Sequence, residues 1–168
     1  MTQSAVPSKS DLLQQLRRGG ADALMRLRSL DVAAFEEGRY ENGWNGRQIL
    51  AHLASIEWTY QRLIEVARIA SLPQEQTSQA EGGSGSSGVG DYNTRQVEKR
   101  AGASVAELLA ELEENRASTI AAVEAADESL FSVPIRSAGG AQGSLASVLN
   151  YVAVLHVAQH VRDIAGQT

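Results

Sequence analysis

Cysteine is absent from this chain of 168 residues. Its absence excludes a disulfide framework, a thiolate metal site, an iron–sulfur cluster and a catalytic cysteine. Aromatic residues are scarce, at 5%. A β-sandwich leans on aromatic and β-branched side chains, whereas alanine and leucine dominate the apolar set here, so helix is favoured over sheet. Positive charge is also short: 15 Lys and Arg stand against 20 Asp and Glu, for a net charge of −5. Neither nucleic acid nor an anionic membrane is therefore expected as the main partner. Histidine is scarce as well, with three residues. Any metal site must combine them with each other, with carboxylates or with water.

What remains is ordinary. Apolar residues at 43% and charged residues at 21% suit a single domain over residues 1–168 with a real core. The first ten residues are polar and lack the apolar run of a secretory leader, so the cytoplasm is expected. Residues 144–161 carry no formal charge, but Asn150, His156, Gln159 and His160 lie among them. Each is costly in hydrocarbon, so a buried helix is expected there rather than a membrane span.

Four helical segments follow from the periodicity. The first spans about residues 11–29, with Ser10 as N-cap, Leu12, Leu13, Leu16, Leu24 and Leu27 inward, and a bend at Gly19-Gly20. The second starts at Asn45, with Gln48 completing a capping box. Its apolar residues, Ile49, Leu53, Ile56, Tyr60, Leu63 and Ala67, alternate in steps of four and three, a bundle-type stripe that Pro73 ends. Residues 74–90 read as a flexible Gly/Ser linker, long enough to let the flanking helices run parallel. The third region opens near Asp91, breaks at Ala101-Gly102 and restarts behind Ser104, with Glu107 at the third position. Residues 131–143 read as a loop. The fourth helix runs from Ser144 to near Ala165, closed by Gly166.

His156 and His160 are four residues apart on the fourth helix, a rotation of about 400°, so both project from nearly one face. That face continues the stripe of Leu145, Leu149 and Val152. His52 sits between Ile49 and Ile56 at the edge of the second helix's stripe. An apolar stripe takes about a third of a helix surface, so three independent histidines would all meet one in roughly a few per cent of cases. Two readings stay open on pattern alone: a shared metal ion, or core histidines bonded to carbonyls. His-Glu-x-x-His protease chemistry is excluded, because Val157 occupies the position of the catalytic glutamate.

The run Trp44-Asn45-Gly46-Arg47-Gln48-Ile49-Leu50-Ala51-His52-Leu53-Ala54 resembles the tryptophan and histidine-leucine signature of the DinB/YfiT-like superfamily. Leu155-His156-Val157-Ala158-Gln159-His160-Val161 looks like its C-terminal His-x-x-x-His helix. The segments Asp91-Tyr92-Asn93 and Ser104-Val105-Ala106-Glu107-Leu108-Leu109 are similar to its third helix. The resemblance implies an all-α four-helix bundle with a long crossover between helices 2 and 3. It also implies a divalent metal on His52, His156 and His160. Zn²⁺ or Ni²⁺ is the expected ion, with Fe²⁺ or Mn²⁺ as alternatives. Some family members use a low-molecular-weight thiol as cosubstrate, while many have no known activity and some respond to stress.

Three imidazoles leave such an ion open positions, where water or a thiol would be acidified. The function expected is therefore a metal-dependent enzyme of thiol S-transferase or isomerase type, acting on a small molecule. A metal-dependent hydrolase, a non-catalytic stress-related metal-binding protein and a metal-free helical module are the alternatives. A homodimer is compatible with each. Among auxiliary groups, Asp163 shares the face of His160 and is read either as orienting that imidazole or as pairing with Arg162. Glu57 points away from His52, as an interhelical or capping partner. Gln159 is read as lining the cavity. Tyr60, Tyr92 and Asn93 either reach a pocket mouth or simply pack. Trp44 packs the entry of the second helix, and Arg47 either meets an anionic substrate or is solvated.

Overall fold

A computed structural model describes residues 6–40, 43–73 and 86–166. Among the described residues there are eight α-helices: α1 (Lys9–Arg28), α2 (Val32–Glu36), α3 (Gly46–Glu57), α4 (Gln61–Ala70), α5 (Ser86–Lys99), α6 (Val105–Ala125), α7 (Leu145–Asn150) and α8 (His156–Ala165). A 3₁₀ turn, Trp58–Tyr60, joins α3 to α4, and a π-turn, Tyr151–Leu155, joins α7 to α8. A second 3₁₀ turn, Glu128–Ser132, precedes a two-stranded antiparallel hairpin, β1 (Pro134–Arg136) and β2 (Gln142–Ser144), in which Ile135 faces Gly143.

The capping residues explain where the helices begin. Asn45 and Gln48 form the expected capping box on α3, as do Ser104 and Glu107 on α6. Each such cap contributes about 1 kcal/mol. On α1 the cap is Ser8, not Ser10, because Asp11 lies three residues after Ser8 and returns its side chain to the Ser8 N–H. Gly19 and Gly20 do not interrupt α1, which is a single helix. Gly46 is obligatory for a different reason: a Cβ there would lie 2.6 Å from the Ala34 carbonyl oxygen and 2.8 Å from the Phe35 Cα. The close approach of α2 to the first turn of α3 depends on it.

Three other expectations are corrected. The linker does not extend to residue 90, since α5 begins at Ser86; residues 74–85 lie outside the described residues. The loop over 131–143 contains the hairpin. The last helix is not one α-helix, and this changes which residues it buries. The His156 N–H bonds the Tyr151 carbonyl, five residues back rather than four. The extra residue shifts the stripe from Val152 to Ala153, so burial runs Leu149, Ala153, Val157, Val161 and Ile164, and Val152 is only half-buried.

The long helices pack in a ring, α1 on α6, α6 on α3 and α4, α3 on α8 and α8 on α1, while α5 lies against α3. Their buried side chains form two apolar clusters. One gathers Leu12, Leu16, Tyr60, Leu63, Val123 and Leu149. The other gathers Leu24, Leu27, Ile49, Leu53, Leu112 and Val161. Between them, at the level of Gly20, Glu57, Arg116 and Ala153, the core is polar. Arg116 is 5% exposed and Glu57 fully buried. The guanidinium Nη2 donates to Glu57 Oε2 at 2.9 Å and to the Ala153 carbonyl at 2.7 Å. Nε also lies 2.9 Å from Glu57 Oε1, close enough for charge attraction but misaligned for a hydrogen bond. Burial pushes the Glu57 carboxyl up to about 7, against the pull of Arg116. No helix among the described residues is long and apolar enough to cross a membrane.

Candidate metal centre

His52 comes from the middle of α3, and His156 and His160 from the first two turns of α8. The packing of α3 on α8 brings the three together. One nitrogen from each lies within 4.8 Å of the others. Ring centroids are 5.8 Å apart for His52 and His156, 5.4 Å for His52 and His160, and 4.4 Å for His156 and His160. His52 is 5% exposed and His160 2%, whereas His156 is half-buried.

Three basic rings in a desolvated space resist protonation. Burial first, then the neighbouring imidazoles, lowers His52 to about 3. Burial first and then His160 lowers His156 to about 4, with Asp163 opposing. His160 is also lowered by burial, against the opposite pull of Asp163. All three are thus neutral at pH 7, the state in which imidazole has a lone pair to give. His52 Nδ1 is buried with no hydrogen-bond partner. Polar atoms that orphaned are uncommon in a folded core, and this one fits a ligand the protein alone does not supply.

Asp163 is brought to the site as the spacing allowed. It is 6% exposed, and its Oδ2 lies 3.0 Å from His160 Nδ1. A carboxylate can only accept, so Nδ1 carries the proton and Nε2 the lone pair. Gln159 does not line a cavity. It is exposed, donates to Asp163 Oδ1 at 3.0 Å and accepts from Arg162 at 2.6 Å. Arg162 therefore reaches the carboxylate through Gln159.

Aromatic side chains line one side of the cluster. The Trp44 ring lies 5.4 Å from His52, and Tyr40 lies 5.1 Å from His160. Tyr40 was not singled out in the sequence. Its place follows from a tight backbone exchange in which the Arg39 N–H bonds the Trp44 carbonyl and the Gly43 N–H the Tyr40 carbonyl, with Gly43 at φ +80°. The stacked pair Tyr40–Trp44, 6.2 Å apart, is the product. A four-residue spacing of aromatics around a glycine was the available signal.

The remaining candidates fall elsewhere. Tyr60 is core, 5% exposed, and its hydroxyl donates to the Val152 carbonyl at 2.8 Å. Arg47 donates to the Ala101 carbonyl at 2.6 Å and to Ala103 at 3.2 Å, so it braces the α5–α6 turn rather than waiting for an anion. Tyr92 and Asn93 are half-buried on α5. Glu57 is an interhelical partner, of Arg116 on α6.

The model of the DinB superfamily matches residues 7–164. The crystal structure of a mycothiol-dependent maleylpyruvate isomerase shares the fold, with a TM-score of 0.73 at 19% identity. A histidine-to-alanine mutant of that enzyme matches with the same TM-score at 18% identity. In both cases 98% of this chain is covered, but the chain spans only 63% of the isomerase. No curated protein matches the sequence.

Proposed function

The chain belongs to the DinB superfamily, and from that premise we propose that it holds a divalent metal on His52, His156 and His160 and activates a low-molecular-weight thiol for transfer or isomerisation. The observation that carries the proposal is the convergence of three neutral imidazoles, one with an orphaned buried nitrogen. Bound there, the ion would supply Lewis acidity, drawing the pKa of a thiol or water at its open positions toward neutrality.

The protein's own residues do the rest. Burial keeps His52 and His156 unprotonated. Asp163 holds His160 in the tautomer with Nε2 free. Tyr40 and Trp44 shield one side from water, which strengthens electrostatic interactions inside. With no cysteine in the chain, the thiol is a cosubstrate. The similar fold of a mycothiol-dependent enzyme supports that substrate class.

Zn²⁺ or Ni²⁺ is the ion we assign, on the preference of imidazole for borderline metals, with Fe²⁺ or Mn²⁺ as alternatives. We read the helix ring as a four-helix bundle in one domain, with its long crossover between α4 and α5. A cytoplasmic homodimer completes the reading; the exposed Tyr151 and Leu155 offer an apolar face for pairing.

The test is metal content of untagged protein, for wild type and His156→Ala. Near-stoichiometric metal in the wild type alone is expected. If neither protein holds metal and added Zn²⁺ or Ni²⁺ does not raise the Tm, the reading fails. In Co²⁺-loaded protein, a thiol-to-cobalt charge-transfer band on adding a small thiol is expected. Metal without that band would move the function to a hydrolytic or non-catalytic role.

A further inference from the structure

The π-turn that precedes His156 takes from the Val152 carbonyl its α-helical donor, and two buried side chains donate to that carbonyl and to its neighbour. In an α-helix the His156 N–H would bond the Val152 carbonyl. It bonds Tyr151 instead, and the Val152 carbonyl accepts from the Tyr60 hydroxyl at 2.8 Å. The next carbonyl, Ala153, accepts from Arg116 Nη2 at 2.7 Å. Arg116 is held by Glu57, on the helix that carries His52. Thr119, also buried, donates to the Glu57 carbonyl at 3.3 Å. A chain of polar contacts thus runs from the end of α3, through α6, to the turn just before His156.

Such a device has a use here. One extra residue in a helix rotates everything after it by about 100°. The π-turn therefore sets which way His156 and His160 face, and an unsupported π-turn is unfavourable. Burying an arginine and a glutamate in the middle of an apolar bundle is costly, and stability alone is a weak reason to keep such a pair. Gly20 makes room for the arginine, since a Cβ there would lie 3.1 Å from Arg116 Cγ.

Resting on the metal centre proposed above, we propose that Arg116, Glu57 and Tyr60 are positioning residues, which fix the π-turn and with it the placement of His156 and His160 opposite His52. None of the three is among the proposed ligands. Their effect passes through the backbone of residues 151–155.

Two variants test this. Tyr60→Phe removes one donor and leaves the ring. Glu57→Leu with Arg116→Met removes the polar bridge but fills its volume with apolar atoms, a replacement that buried pairs commonly tolerate. Co²⁺ affinity and the Co²⁺ d–d spectrum are measured for each and for wild type. The paired variant is expected to bind Co²⁺ about 10- to 100-fold more weakly, and Tyr60→Phe about 10-fold, with shifted spectra in both. Unchanged affinity and spectrum in both variants would overturn the proposal even if their Tm fell. A crystal structure of the metal-free paired variant gives a second readout. The His52–His156 ring separation, 5.8 Å, is expected to change by more than about 0.5 Å, the tolerance of a preorganised site; an unchanged separation would overturn the proposal. If wild type binds no Co²⁺, the metal centre itself fails, and the ring separation still decides whether these residues position the histidines.

Discussion

Two buried polar groups sit one above the other in this bundle and solve opposite problems. At mid-height, Arg116 and Glu57 carry opposite charges and bond each other and the backbone. Nearer the end where α2 packs, three histidines of the same chemistry crowd together. His52 Nδ1 is left with no partner. The pair balances its opposite charges within the protein, although Arg116 Nε and Nη1 and Glu57 Oε1 make no hydrogen bond, whereas the like groups of the cluster have nothing among themselves to balance. Burial also acts on them in opposite directions, raising the acid Glu57 and lowering the bases His52 and His156.

Breaking the pair on one side gives the largest expected effect. At pH 8, Glu57→Ala strands the Arg116 charge and should cost about 3–5 kcal/mol in urea unfolding. Glu57→Leu with Arg116→Met should cost far less. Similar losses in both would mean that packing, not charge, governs this level of the core.

Completing the histidine cluster comes next. Zn²⁺ at a free concentration 100 times its Kd should stabilise the wild type by about 2.7 kcal/mol, read as a rise in Tm. His156→Ala should lose most of that rise at the same Zn²⁺ concentration while keeping its metal-free Tm within a few degrees. Asp163→Asn should act more mildly. Its amide can still reach His160 Nδ1 but no longer imposes the tautomer, so metal affinity should fall about 10- to 100-fold, which titration calorimetry can measure.

Acid separates the two groups by sign. The unfolded chain takes up protons on histidine below pH 6.5, whereas folded His52 and His156 resist until about 3 and 4. Their contribution to metal-free stability is full above pH 6.5 and falls as pH drops, by about 1.4 kcal/mol per unit for each. Glu57 runs the other way. Its folded value near 7 lies above its ordinary 4.5, so it adds stability as pH falls between those values and offsets one histidine. A net loss from pH 7 to 5.5 is expected in metal-free wild type, steeper in Glu57→Leu with Arg116→Met. A midpoint that rises on acidification would show that the histidines are not held neutral.

Much of this was legible beforehand. The capping boxes at Asn45 and Ser104 appear as read, because capping needs only residues three apart. The inward histidines were legible for the same reason, since 3.6 residues per turn fixes a helix face. The stripe through Val152 failed because periodicity assumes an unbroken α-helix, and nothing local announces a π-turn. Tyr40 was missed because its distance to His160 is set by a chain reversal. Arg116 was missed because an arginine in an acidic, charged helix looks solvated until a glycine on another helix makes room for it.

The sequence by itself determined the caps of α3 and α6, the absence of internal thiol chemistry and the helix faces on which the histidines lie. These depend on neighbours a turn apart and on composition. Only the tertiary structure decided that the three rings share one space and that a buried ion pair reaches the turn before His156. Those depend on contacts between residues up to about a hundred positions apart, such as Tyr60 and Val152, at a sequence separation of 92. No local spacing encodes them, because they arise only when whole helices pack.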